Sequence, residues 1–93
     1  MTYRLTSRAY RDLEQLLSFL AEQDPYAAEV LLRRLEYTLT LISCAPQIGR
    51  VGTRPNTREL PVPHTPVLVV YRLTEHIEVL TIFHTRKHPD TKW

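Results

Sequence analysis

The chain has 93 residues, enough for one small domain that buries roughly 60 to 65% of the surface its unfolded form exposes, so a single domain is expected. It is 43% apolar and 24% charged, has no apolar run near the ~18 residues of a membrane span, and its single cysteine, Cys44, excludes an intrachain disulfide or a thiolate metal site. The net charge of +2 is uneven, with five Lys/Arg against six Asp/Glu in residues 1–48 and seven against four in residues 49–93, so an acidic or phosphate-bearing partner is expected to prefer the second half.

Met1-Thr2-Tyr3-Arg4 opens no signal-peptide pattern, and the expected compartment is the cytoplasm. Tyr3 and Leu5 alternate with Arg4 and Thr6, which predicts a short strand over 3–6. From Ser7 the period changes. Ala9, Leu13, Leu16, Leu17 and Leu20 fall at spacings of 4, 3, 1 and 3, one stripe of a helix over about 8–22 that Thr6 or Ser7 can cap. Asp24-Pro25 reads as a helix restart, because the carboxylate can accept from free N–H groups of the next turn and proline fits the first helical position. Ala28, Leu31, Leu35, Leu39 and Ile42 follow as a second stripe, widened by Val30, Tyr37 and Leu41, and Pro46 ends this helix near Cys44. A connection of about three residues between the helices forces an antiparallel αα-hairpin. Cys44, in the last turn, is expected to be a small buried hydrophobe.

Pro46 to Thr57 holds both glycines and two of the seven prolines, and reads as a loop carrying Arg50 and Arg54. Arg58 to Val62 suits a strand with Leu60 and Val62 inward and Arg58 outward, with Pro61 favouring an edge or strand end. After the Pro63-His64-Thr65-Pro66 turn come two β-branched runs, Val67 to Leu73 and Ile77 to Phe83, separated by Thr74-Glu75-His76. They predict a β-hairpin whose far end runs into His84, Arg86, Lys87 and His88. The order is β-α-α-β-β-β. An α+β domain is expected, with the helical hairpin on one face of a three-stranded antiparallel sheet formed by residues 57–62, 67–73 and 77–84 and strand 3–6 added along an edge.

Several chemistries find no support. There is no phosphate-cradling glycine loop, and Ser7, Ser18 and Ser43 sit at cap or helix positions without a strained elbow. His84 and His88 leave a strand without a carboxylate set beside them, so neither a metal nor another cofactor is expected. What remains is a cationic and imidazole set on the sheet, Arg58, Arg72, His84, Arg86, Lys87 and His88, with Glu59 near in sequence. Such groups suit either metal-free RNA cleavage, in which imidazole or carboxylate takes a 2′-hydroxyl proton and arginines stabilise the phosphorane, or a charged docking surface.

Tyr3-Arg4-Leu5-Thr6 followed by Ala9 and Leu13, the two-helix hairpin, Pro46-x-x-Gly49-Arg50, Arg58-Glu59-Leu60, Val70-Tyr71-Arg72 and Ile77-x-Val79-Leu80-x-Ile82-x-His84-x-Arg86 together resemble the RelE/ParE superfamily of bacterial toxin–antitoxin toxins, over nearly the whole chain. The resemblance implies one of two activities. RelE-like members are ribosome-dependent mRNA endoribonucleases, whereas ParE-like members inhibit DNA gyrase without a known reaction of their own. RelE-like nucleases usually carry an arginine three residues before the third-strand tyrosine, where this chain has Leu68. The second helix, about 20 residues or ~30 Å long, also looks like the longer ParE hairpin. Both features imply a ParE-like toxin whose target is gyrase, contacted through Arg58, Arg72, His84, Arg86 and Lys87. In the alternative, acting on ribosome-bound mRNA, Arg72, His84, Arg86 and Lys87 would be the catalysts.

Both alternating sets of the hairpin are apolar: Val67, Val69, Tyr71, Ile77, Val79 and Phe83 on one face, and Leu68, Val70, Leu80 and Ile82 on the other. Two helices cover one face. The second is expected to be an exposed interface, which the resemblance assigns to the extended segment of a cognate antitoxin, ParD-like with a ribbon-helix-helix fold, in a toxin–antitoxin hetero-oligomer.

Overall fold

The computed structural model describes residues 2–86, in the order β1 (Tyr3–Leu5), α1 (Ser7–Gln23), α2 (Pro25–Cys44), β2 (Arg50–Val51), β3 (Thr57–Pro61), β4 (Val67–Leu73) and β5 (Ile77–His84). The strands form one five-stranded sheet in the order β1-β5-β4-β3-β2, antiparallel except where β1 joins β5 in parallel at one edge. This is the expected α+β arrangement with one strand more than three plus an edge. Within the Pro46–Thr57 segment, Arg50 and Val51 pair with Glu59 and Arg58, and the Gly52 N–H closes on the Thr57 carbonyl at 2.8 Å. A two-residue strand is too short to leave a period in the sequence.

Single residues make the junctions around the helices. Thr6 donates its backbone N–H to Val79 O at 3.0 Å, which ends β1, and its Oγ1 accepts from Ala9 N at 3.1 Å, which starts α1. Asp24 closes α1 by donating to Leu20 O at 2.7 Å and opens α2 by accepting from Tyr26 N at 3.0 Å. The helices are thus joined by one residue where about three were expected. The buried stripe Leu31, Leu35, Leu39 and Ile42 of α2, with Ala9 and Leu16 of α1, packs on Val67, Val69, Tyr71, Ile77, Val79 and Ile82 of the sheet. Cys44 is exposed, contrary to expectation. At 100° per residue it lies five turns beyond Tyr26 on the outward arc of α2, so its period belongs to the solvent side.

A bulge corrects the reading of the hairpin faces. Tyr71 pairs with Val79 but Val70 pairs with Thr81, leaving Leu80 as an extra residue in β5. Beyond it every side chain changes side. Ile82 therefore joins the helix-facing core, and Phe83 moves to the opposite face with Leu68 and Val70. Arg58 is corrected too. It lies opposite Tyr71 on the helix side, since 58, 60 and 62 share a face in an alternating strand.

Tyr71, wholly buried, ties the segment after α2 to the sheet. Its hydroxyl accepts from Gly49 N at 2.9 Å and donates to Pro46 O at 2.8 Å. Arg58 Nη1 donates to Gly49 O at 2.8 Å and Gln47 O at 3.3 Å, closing the same turn from the other side. The turn passes so close that a Cβ at Gly49 would lie 2.6 Å from the Tyr71 oxygen. Replacing Tyr71 by Phe leaves a buried N–H and a carbonyl without this partner, at a cost of about 1–3 kcal/mol. The expected outcome is a thermal midpoint lower by at least ~4 °C in calorimetry. An unchanged midpoint would show that the clamp contributes nothing.

Burial pushes the Tyr71 phenol above its ordinary pKa of 10.0, opposed by the Gly49 N–H and the Arg58 charge. Because the folded pKa is the higher one, this stabilisation is complete below pH 10.0 and is lost as pH rises from there through the folded pKa. Urea titrations at rising pH are expected to show a decline above pH 10.0 that Tyr71→Phe makes shallower; parallel curves would contradict this.

Candidate functional site

The register sorts the side chains of the sheet face opposite the helices into three rows. The first crosses β1, β5, β4 and β3 as Arg4, Glu78, Arg72 and Thr57. The second is Thr81, Val70, Glu59 and Arg50, and the third is Phe83, Leu68 and Pro61. Cations and carboxylates alternate across the first two. Arg72 directs Nε and Nη2 at Oε1 of Glu78, and Arg50 does the same to Glu59 at 3.2 Å. Glu59 is 5% exposed, so its charge depends on Arg50 for compensation. At the β5 edge, Thr81 donates to Asp12 of α1, which lies 3.8 Å from Arg8.

These pairings decide what the expected cationic set can do. Arg72 is half exposed, and its ion pair adds no more than ~1 kcal/mol of stability. A phosphate reaching the donors of Arg72 left free would nevertheless lie beside the Glu78 carboxylate, whose charge opposes it. Arg58 is on the other side of the sheet and is committed to two backbone carbonyls. His84, opposite Val67 at the end of β5, is half-buried on the helix side, and Arg86 is exposed just past the strand. Lys87 and His88 lie outside the described residues. Arg58, Arg72, His84 and Arg86 are therefore not brought together around one point. Leu68, where an arginine would be needed, is 4% exposed.

The residues expected to meet an antitoxin are also placed differently. Leu68 and Val70 are buried with Phe83 in a second small cluster, Ile82 is in the main core, and Leu80 is half-buried at the bulge. The apolar residues Leu68, Val70 and Phe83 of this face are buried. Val70 lies in register between Thr81, held by Asp12, and Glu59, held by Arg50, while Leu68 lies between Phe83 and Pro61. Among the described residues, these side chains leave no open apolar sheet face.

The open hollow lies elsewhere. Between the tip of the helical hairpin and the β3–β4 turn is a cleft of about 340 Å³, floored by Leu20, Ala27, Val30, Leu31 and Val67 and walled by Asp24, Tyr26, Arg34, His64, Pro66 and His84. Arg34 Nη1 donates to His64 O at 3.3 Å, and His64 holds a left-handed backbone with φ 60° between Pro63 and Pro66. Sequence reasoning missed this site because its parts come from four separated elements. The signals were Val30 and Arg34 at the flank of the α2 stripe and a histidine framed by prolines. Among the described residues, no three His, Cys, Asp or Glu side chains gather as a metal ion would need, and no helix is long and apolar enough to cross a membrane.

The architecture is that of a known fold. A solved structure titled as a chromosomal ParDE TA system from P. aeruginosa superposes with a TM-score of 0.79 over 90% of this chain and 95% of that one, at 19% identity. In sequence, the chain is 36% identical over 86 residues to Toxin RelE1 of Caulobacter vibrioides, covering 89% of this chain and 91% of that protein. It is 31% identical over 84 residues to a candidate toxin of Sinorhizobium fredii, Y4kP, covering 90% and 88%. The family model described as the ParE toxin of the type II toxin-antitoxin system parDE matches residues 3–89. With that match spanning nearly its whole length, the chain belongs to the ParE toxin family of type II toxin–antitoxin systems.

Proposed function

We propose that this protein is a toxin that inhibits DNA gyrase by binding it, carries out no reaction of its own, and is held inactive by a cognate ParD-like antitoxin. The observation that carries this reading is the dispersal of the cationic set. Metal-free cleavage of RNA needs several donors aimed at one phosphate, and loss of a single charge-stabilising donor typically costs on the order of 10²–10³ in rate. Here Arg58 and Arg72 lie on opposite faces of the sheet, each with its own internal partners, and Leu68 is core. A protein partner makes no such demand, because it can read alternating charges such as Arg4, Glu78 and Arg72 by complementary pairing.

A second reading, ribosome-dependent mRNA cleavage, is favoured by one observation, the name of the Caulobacter relative, Toxin RelE1. It would rest on His84 and Arg86 at the end of β5, together with Lys87, the next residue in sequence.

Two assays on the purified protein separate the readings: supercoiling of relaxed plasmid by gyrase, and primer extension on messages undergoing translation. The expected outcome is inhibited supercoiling with no toxin-dependent breaks in the message. Codon-positioned cleavage that disappears in Arg86→Ala or His84→Ala, with supercoiling untouched, would overturn the gyrase reading and make those residues catalysts.

A further inference from the structure

We infer that the cleft between the hairpin tip and the β3–β4 turn is the anchoring point for the antitoxin, and that it takes a segment with a bulky apolar side chain followed by a carboxylate. This rests on the reading of the chain as an antitoxin-controlled toxin and adds the place and chemistry of capture.

The floor formed by Leu20, Ala27, Val30, Leu31 and Val67 is apolar, and 340 Å³ lies within the roughly 300–1,000 Å³ of pockets that enclose a specific ligand. Such a floor gains from a large aliphatic or aromatic side chain, at roughly 25 cal/mol for each Å² of apolar surface removed from water. The charges are arranged by position. Asp24 marks one end, where its carboxylate already caps α2. Arg34 is ten residues further along α2, or ~15 Å at 1.5 Å per residue, and contacts His64 of the facing turn. Arg34, His64 and His84 all line the cleft. One Arg34 N–H is used on the His64 carbonyl, and a guanidinium offers five donors in a planar fork suited to a carboxylate.

An occupant spanning ~15 Å therefore needs four or five extended residues, with its acidic group at the Arg34 end. A polyphosphate backbone fits poorly, because repeating negative charge would meet Asp24 at the other end. The wall is also preformed. Pro63 and Pro66 frame the turn, and the Arg34 bond fixes its height over α2, so little ordering cost is left for the binding step. The closed sheet face strengthens the assignment, since Leu68, Val70 and Ile82 are unavailable to a partner.

The test is an NMR titration of the isotope-labelled full chain with two synthetic peptides, acetyl-Ala-Leu-Phe-Glu-Glu-amide and its counterpart with lysine in place of both glutamates. The expected result is saturable binding of the acidic peptide with shifts concentrated at Ala27, Val30, Arg34 and His64 to Val67. The lysine peptide should bind at least ~10-fold more weakly, as loss of a charge-assisted hydrogen bond implies. Arg34→Glu should reverse the preference, and Ala27→Trp, which fills the floor, should abolish binding of both. Equal binding of the two peptides by the wild-type protein, shifts confined to the Arg50 and Arg72 face, or no saturable binding would overturn the assignment. The titration reads capture directly and needs no toxicity. A protein that affects neither supercoiling nor translation would unseat the toxin reading, whereas a toxin indifferent to both peptides would unseat only the cleft.

Discussion

Strand β4 is the constraint on which the rest of the molecule depends. It pairs with β3 on one side and β5 on the other, and Val67 through Tyr71 are buried without a break. A strand apolar on both faces must be covered on both, and the chain does this in two ways. One face receives the helical hairpin. On the other, Leu68, Val70 and Phe83 are buried together as a second cluster, with Val70 flanked in register by Thr81 and Glu59. A charged group in the middle of β4 would have to be desolvated, which costs several kcal/mol without a partner. The polar groups of this face accordingly stand on the strands either side of the middle of β4, at Glu59 and Thr81, and at the end of β4, at Arg72.

The helices were legible because their signals are local and repeated. Asp24-Pro25 and the stripe from Leu31 to Ile42 each state a helix several times over, and the positions of β4 and β5 followed equally well from their β-branched runs. What escaped depended on single residues or on pairing at a distance. The bulge at Leu80 is one inserted position, and no composition marks it, yet it exchanges Ile82 with Phe83 and every later residue with its neighbour's face. The short β2 exists only because β3 is there to pair with it. Cys44 was misplaced for a different reason: apolar character was taken for burial, while the helical azimuth that puts Cys44 beside Tyr26 pointed to solvent.

Of the candidate site, the residue types were legible and their assembly was not. The excess of positive charge in residues 49–93 suggested a surface for phosphates, but a count of charges says nothing about where they are spent. Arg50 is spent on Glu59, Arg72 on Glu78 and Arg58 on the carbonyls of the turn after α2. Each use is structural or self-neutralising, and on the sheet face opposite the helices Arg50 and Arg72 with their carboxylate partners present charges of mixed sign. That pairing bears directly on function. Mixed-sign rows favour a partner that answers with its own alternating charges and give little advantage to a uniformly anionic one.

On the readings proposed above, the end of β5 is where the cleft that would take an antitoxin adjoins the residues that mRNA cleavage would use. His84 closes the strand and lines the cleft, and Arg86 follows it at the surface. A partner anchored between Arg34 and the β3–β4 turn would therefore cover His84 directly and leave little room for a second macromolecule at Arg86. For a target engaged at Arg86, neutralisation would then need no conformational change in the toxin, only occupancy of adjoining ground. The geometry also sets a limit on the antitoxin: a segment long enough to fill the cleft but ending short of β5 would bind and still leave Arg86 open, so inhibition should depend on reach past His84 more than on affinity for the apolar floor.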